Sequence, residues 1–239
     1  MPAFEILTGS ALGTLLGMRH ALEPDHLTAL STLVTTAPGA PGERGRYRAA
    51  MLGACWGVGH TLSLVVVGAV LVVLRAEMPA RVSDLFELFV AVMLVGLGVR
   101  AIMLAIRQGR VGPPHAHHHG HLVHTHAGAN PHVHVGRWTL ARRPLLVGAV
   151  HGLAGSGALT ALVLATLTST TARITYMALF GFGSTLGMAA LSGLLGWPVA
   201  RLGSNRGLAR AVSVVVGCTS IALGLLWGYP LTSRLLFRS

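Results

Sequence analysis

The chain has 239 residues, of which 52% are hydrophobic and only 10% carry a charge, whereas charged residues make up about 25% of an average soluble domain. This composition excludes an ordinary soluble protein and predicts a membrane protein. The net charge of +11 does not indicate a nucleic-acid partner, because the 18 basic residues are all arginines and most of them fall between apolar segments, as in cytoplasmic loops.

Six apolar segments, each near the roughly 20 residues that a bilayer requires, predict an all-α polytopic membrane protein with six transmembrane helices. The segments cover residues 4–34, 49–74, 85–106, 144–167, 174–199 and 208–227. The chain divides into a three-helix unit (1–106), a His-rich loop (107–143) and a second three-helix unit (144–239). The protein is expected in the cell membrane, the inner membrane of a bacterium. The loops richest in arginine are expected on its cytoplasmic side, which places both termini on the external side.

The first segment contains a polar stretch, residues 18–28, with two histidines and two carboxylates. His20, Asp25 and His26 form the pattern H-x4-D-H. Ionisable residues within a membrane segment indicate a functional site. Imidazole suits nickel, cobalt, copper and zinc, and Asp25, with Glu23 nearby, adds negative charge. The stretch therefore predicts a site for a divalent transition metal.

Pro24 lies in the middle of this pattern. On a regular helix the side chain of His26 would lie far around the cylinder from that of His20. Pro24 has no N–H and biases Glu23 away from the helical conformation, so we expect a first helix broken at Pro24, with both histidines and Asp25 turned toward one point. Many transporters place ion sites at such breaks. The alternative is a helix that simply ends at Glu23.

The stretch from His20 to His26 resembles the H-x4-D-H signature of the nickel/cobalt transporter (NiCoT) family and its shorter relatives. In that family the signature lies in a membrane helix and is required for metal recognition, which implies nickel or cobalt as the transported substrate. Gly57-Val-Gly-His60-Thr-Leu is similar to the family's second, glycine-histidine motif and makes His60 a further candidate ligand. Typical members have eight spans; six are typical of the urease-associated and efflux branches.

The two halves of the chain also resemble each other. Residues 20–30 can be laid over 151–162 with one gap, and residues 56–62 over 180–186. Because each half has three spans, the copies would form an inverted 3+3 repeat with the site at their interface; a chance match of glycine-rich sequence is the alternative. His151 becomes the counterpart of His20, and Gly155-Ser156-Gly157 replaces the charged break.

These patterns together predict the residues of the site. A lone histidine in an apolar run is otherwise a core residue bonded to a backbone carbonyl, and this alternative stays open for His60. The predicted metal ligands are His20, Asp25, His26 and His60, and the predicted pathway residues are Glu23, His151 and Ser156.

The central loop holds nine of the thirteen histidines. Without apolar periodicity it is expected to be disordered, and its imidazoles would bind divalent cations weakly and redundantly, as a metal buffer or sensor. The alternative is a solvated linker. The histidines are His115, His117, His118, His119, His121, His124, His126, His132 and His134.

The absence of a phosphate-cradling G-x-x-x-x-G-K-[ST] motif excludes ATP as a direct energy source. A divalent cation moving inward through 100 mV gains about 4.6 kcal/mol, so uptake is favoured, with efflux as the alternative. A membrane accessory protein that delivers nickel to urease or hydrogenase maturation proteins is a further alternative. A metal-dependent enzyme is disfavoured because the chain has only seven acidic residues, and no catalytic residue is predicted. Zinc and manganese remain alternative substrates, and a homo-oligomer is a candidate assembly.

Overall fold

The computed structural model describes residues 2–36, 42–74, 78–107, 115–119, 122–126, 133–135, 138–140, 142–153, 170–202 and 205–237. Within these residues the chain forms seven α-helices. They are α1 (Pro2–His20), α2 (Pro24–Thr36), α3 (Gly42–Leu74), α4 (Ala80–Arg107), α5 (Arg142–His151), α6 (Thr170–Leu202) and α7 (Arg206–Phe237).

Four helices in the described part of the chain are long and apolar enough to cross a membrane. Their apolar stretches are residues 44–71 in α3, 80–107 in α4, 171–199 in α6 and 207–236 in α7. The prediction of a helical, multi-pass membrane protein is therefore confirmed. The first expected span is divided between α1 and α2, and the fourth is described only as far as residue 153, so the count of six stays a prediction.

The helices expose many large apolar side chains and bury several polar ones. Leu15, Val92 and Leu226 are 65%, 62% and 70% exposed, which is unfavourable over a large area in water but suits contact with lipid. The buried polar set instead includes four histidines, two aspartates, a threonine and several serines. Its members are His20, Asp25, His26, Thr32, His60, Asp84, His151, Ser184, Ser192, Ser213 and Ser220.

Helices α3 and α6 cross at very short range. A Cβ atom at Gly57 would lie 2.7 Å from the Cα atom of Thr185, and one at Gly181 would collide with the side chain of Thr61. The hydroxyls of Thr61 and Thr185 lie 3.1 Å apart, within hydrogen-bond distance. The contact is reciprocal: the glycine of each helix receives the threonine of the other. Small residues of this kind allow transmembrane helices to pack backbone to backbone.

The contacts of the shorter helices α1 and α5 follow a similar arrangement. Helix α1 packs on α6, where Gly17 abuts the carbonyl oxygen of Phe180, and α5 packs on α3, where Gly148 abuts the carbonyl oxygen of Trp56. Helix α2 lies among α4, α6 and α7. This packing brings the end of α1, the start of α2, the middle of α3 and the end of α5 to one place.

The His-rich loop contains short β-strands where the sequence led us to expect disorder. In the described residues of the loop, β1 pairs with β2 and β3 with β4 in two antiparallel two-stranded sheets, and His117 lies opposite His124 in the first. β-branched residues such as Val123 and Thr125 alternate with histidines here and favour extended backbone. The strands are β1 (His115–His119), β2 (Leu122–His126), β3 (Val133–Val135) and β4 (Trp138–Leu140).

Candidate metal centre

A tight turn of residues 21–23 separates α1 from α2, so the helix break expected at Pro24 is present. Pro24 is the first residue of α2, a position where its missing N–H costs nothing. The carbonyl of Glu23 accepts a hydrogen bond from the N–H of Leu27 at 2.9 Å and begins the new helix. The N–H of Glu23 donates a hydrogen bond to the carbonyl of His20 at 3.1 Å. The carbonyl of His20 therefore keeps a hydrogen-bond partner although Pro24 has no N–H to offer it.

Five ionisable side chains converge where these helices meet. His20 ends α1, Asp25 and His26 lie in the first turn of α2, His60 lies within α3, and His151 ends α5. All five are buried, with exposed fractions between 0% for His60 and 7% for Asp25. The Nε2 atoms of His20 and His60 lie 3.1 Å apart.

Asp25 joins two of the histidines. The Nδ1 atom of His26 lies 2.9 Å from Oδ1 of Asp25, and Nε2 of His151 lies 2.7 Å from Oδ2. An ionised carboxylate can only accept, so both imidazoles donate and their second nitrogens carry lone pairs. Those nitrogens, Nε2 of His26 and Nδ1 of His151, are buried and have no hydrogen-bond partner among the described residues. The carboxylate thus sets the imidazole tautomers in the manner of a metal site.

Glu23 sets the tautomer of His20, as Asp25 does for His26 and His151. Its Oε1 atom lies 3.0 Å from Nδ1 of His20, so the Nε2 atom of His20 presents a lone pair toward His60. The Glu23 side chain is 43% exposed and that of His20 is 4% exposed. This hydrogen bond therefore links the buried cluster to the protein surface.

The donor atoms form two overlapping groups of three residues. One consists of His20, His26 and His60, and the other of Asp25, His26 and His151; in each, one donor atom from every residue lies within 4.8 Å of the others. Two nitrogens bound at right angles to one ion at about 2.1 Å would be about 3.0 Å apart. The 3.1 Å between His20 and His60 is close to that value. Imidazole and carboxylate donors at these distances suit a divalent transition metal.

The family follows from comparison with known proteins. The model of the NicO family, described as high-affinity nickel-transport protein, matches residues 7–202. The chain belongs to the NicO family. It is also 29% identical over 232 residues to the urease accessory protein UreH of Bacillus sp. (strain TB-90), covering 97% of this chain and 95% of that protein. No solved structure matches the chain.

Membership of the NicO family confirms the resemblance based on the H-x4-D-H and glycine-histidine motifs. The family is described as a transport protein, not as an enzyme. Of the residues singled out from sequence, the structure brings together His20, Asp25, His26, His60 and His151, with Glu23 at the edge. Ser156, His121 and His132 lie outside the described residues, and the other loop histidines belong to β1, β2 and β3.

Two aromatic residues beside the cluster of this NicO-family chain were missed in the sequence. The ring of Trp56 lies 5.4 Å from the rings of His26 and His151, and that of Phe180 lies 5.5 Å from that of His20. Both are buried and exclude water, which strengthens electrostatic interactions inside the cluster. The sequence did indicate that these two positions are related, because the alignment of the two halves lays Trp56 over Phe180.

Proposed function

We propose that the protein is a permease that moves nickel or cobalt across the membrane through His20, Asp25, His26 and His60. The observation that carries the proposal is the buried cluster of four histidines and an aspartate among transmembrane helices. Such residues are unfavourable there unless they pair with one another or serve an ion pathway. Membership of the NicO family supports nickel as a transported ion.

The ends of α1 and α5 support an inverted repeat of two three-helix units, 1–106 and 144–239. When His20 is laid over His151, the hydrogen bond from Ala21 N–H to the Gly17 carbonyl corresponds to that from Gly152 N–H to the Gly148 carbonyl. Both helices therefore end at a histidine in the same way. Their carboxyl ends carry partial negative charge and favour a cation.

The packing of the helices supports the same repeat. A two-fold relation makes each contact recur between the counterpart residues. Gly57 meets Thr185 while Gly181 meets Thr61, and Gly17 meets Phe180 while Gly148 meets Trp56. An axis in the membrane plane relates copies of opposite orientation, which agrees with three spans per unit and six in all. The arginine distribution then favours a cytoplasmic loop 107–143 and external termini.

Inward movement requires no other energy source than the membrane potential. A divalent cation gains about 4.6 kcal/mol in crossing 100 mV toward the negative side. Uptake is therefore the proposed direction. Efflux would need a coupled ion such as a proton, and the liposome experiment distinguishes this case.

The direct test is ion flux into sealed liposomes that contain only the purified protein. Nickel, cobalt, zinc and manganese are supplied separately under an imposed potential, negative inside, and protein-free liposomes are the control. We expect potential-driven uptake of nickel or cobalt. Flux that depends on a proton gradient and not on the potential would favour efflux.

A second candidate function comes from the name of the relative, a urease accessory protein. In this case the protein would bind nickel in the membrane and deliver it to urease or to a hydrogenase maturation complex. Tight nickel binding without flux of any metal in the liposome experiment would favour this function over the permease.

Deletion of residues 112–130 tests the His-rich loop. We expect the shortened protein to retain flux with an apparent affinity changed by several-fold, because the loop supplies only redundant imidazoles and its described residues in this range belong to β1 and β2, not to the buried cluster. Flux would be measured at several nickel concentrations against the intact chain. Complete loss of flux in an intact, inserted protein would mean that the loop is part of the pathway.

A further inference from the structure

The two groups of donor atoms share one residue, His26. We propose that the protein holds its transported ion in two adjacent subsites and passes the ion between them with His26 as the common ligand. Subsite one consists of His20, His26 and His60, and subsite two of Asp25, His26 and His151. The inference rests on the proposed transport function and adds a second binding position, in which His151 is a ligand.

The ring of His26 lies between the rings of His20 and His151. The centroid of the His26 ring lies 4.2 Å from that of His20 and 4.3 Å from that of His151, with interplanar angles of 67° and 65°. His20 and His151 therefore contact His26 in nearly the same geometry. Because they are counterparts in the two halves, an axis in the membrane plane would interchange them, and each would belong to an opposite side of the membrane.

The geometry of the imidazole ring keeps the two positions apart. The lone-pair directions of Nδ1 and Nε2 diverge across the ring, so a single ion cannot bind both nitrogens of His26. Nδ1 faces Asp25, which also bonds His151, whereas Nε2 has no hydrogen-bond partner among the described residues. The rings of His60 and His151 are 6.3 Å apart, farther than the 5.2 Å between His60 and His26. His60 thus belongs with Nε2, and His151 with Nδ1; an ion in subsite two would replace the protons that His26 and His151 donate to Asp25.

The two subsites lie on two edges of one imidazole ring, so the ion moves only about the width of that ring, and the ligands of the second subsite are in place as those of the first release it. Each subsite offers three residues, so the ion is held but keeps exchangeable coordination positions, as conduction through a series of sites requires. An aromatic ring borders each subsite: Phe180 lies against His20, and Trp56 lies against His151. These two residues are also counterparts in the repeat, so the two subsites are enclosed alike.

Cobalt(II) alone serves as the probe, because its visible absorption reports its ligands. The purified protein is titrated as wild type, His60→Gln and His151→Gln; glutamine preserves side-chain volume, and its amide is a poor ligand for this ion. We expect each variant to bind one cobalt ion per chain with a different spectrum, since His60→Gln leaves subsite two and His151→Gln leaves subsite one. Flux in liposomes should fall at least about tenfold in both variants.

Ser184→Ala is the matched control, because Ser184 is the buried counterpart of His60 and belongs to neither subsite. It should keep wild-type binding and flux. Cobalt binding in the other variants itself shows that they are folded. The two-subsite inference is wrong if the two spectra are identical, or if His60→Gln binds nothing while His151→Gln keeps wild-type affinity and flux. Absence of flux in the wild-type protein would refute transport and leave the spectral comparison intact.

Discussion

Asp25→Asn is expected to reduce metal flux by at least about one hundredfold while the protein stays folded and inserted. Asparagine has nearly the same shape, but its amide is neutral and turns an N–H₂ group toward one of the two imidazoles that now donate to Asp25. The negative charge that offsets a divalent cation is lost, and the orientation of His26 or His151 is lost with it. Loss of such a carboxylate partner alone costs about 10–100-fold in metal affinity. Flux in liposomes, compared at equal reconstituted protein, measures the effect.

Asp84→Asn provides a matched control for this substitution. Asp84 is the same residue type and is equally buried, at 7% exposed, but its Oδ1 atom lies 3.3 Å from Nη1 of the half-exposed Arg234 and it belongs to neither histidine group. Asparagine can still accept a hydrogen bond from Arg234 through its amide oxygen, and the histidine cluster is untouched, so flux should stay within about twofold of wild type. Wild-type flux in Asp25→Asn would contradict the proposed site.

Gly148→Ala is expected to lower the thermal midpoint of the protein in detergent and to reduce its folded yield. The added methyl group would collide with the main-chain carbonyl of Trp56, and backbone cannot yield as the end of a flexible side chain can. Helix α5 must therefore move away from α3, and His151 moves with it, one turn further along α5. Overpacking of this kind costs about 1–3 kcal/mol.

Gly96→Ala is the control for the added methyl group. A Cβ atom at Gly96 meets nothing within 4 Å, so alanine should be neutral or should stabilise α4 by up to about 1 kcal/mol through its helix propensity. Thermal unfolding followed by loss of the monodisperse peak in size-exclusion chromatography compares the two variants. Equal midpoints would show that α3 and α5 do not pack as closely as described.

Much of the cluster followed from the sequence, because its chemistry is local. Pro24 lacks an N–H wherever it stands, so the break between α1 and α2 was predictable, and the break turns His20 and His26 inward. The motif around His60 and the match of His151 with His20 then supplied residues from two distant segments. The family comparison confirms the resemblance that these motifs carried.

The structural features that the sequence did not predict depend on tertiary packing. The bond between Asp25 and His151 joins residues far apart in the chain, and no spacing rule predicts which carboxylate oxygen meets which ring nitrogen. The positions of Trp56 and Phe180 beside the histidines likewise depend on how α3 and α6 cross. The β-strands of the loop were missed because a high density of histidine hid the extended preference of its valines and threonines.

The close crossing of α3 and α6 determines which motions of the two halves require least energy. The hydroxyls of Thr61 and Thr185 meet where the helices cross, and Gly57 and Gly181 bring the two helices close together there. If one helix slid along the other, each threonine would move away from the glycine that it packs against. Rotation about the crossing point keeps both of these contacts. We therefore expect the crossing to act as a pivot, so that a small rotation there would open one end of the helix pair as it closes the other.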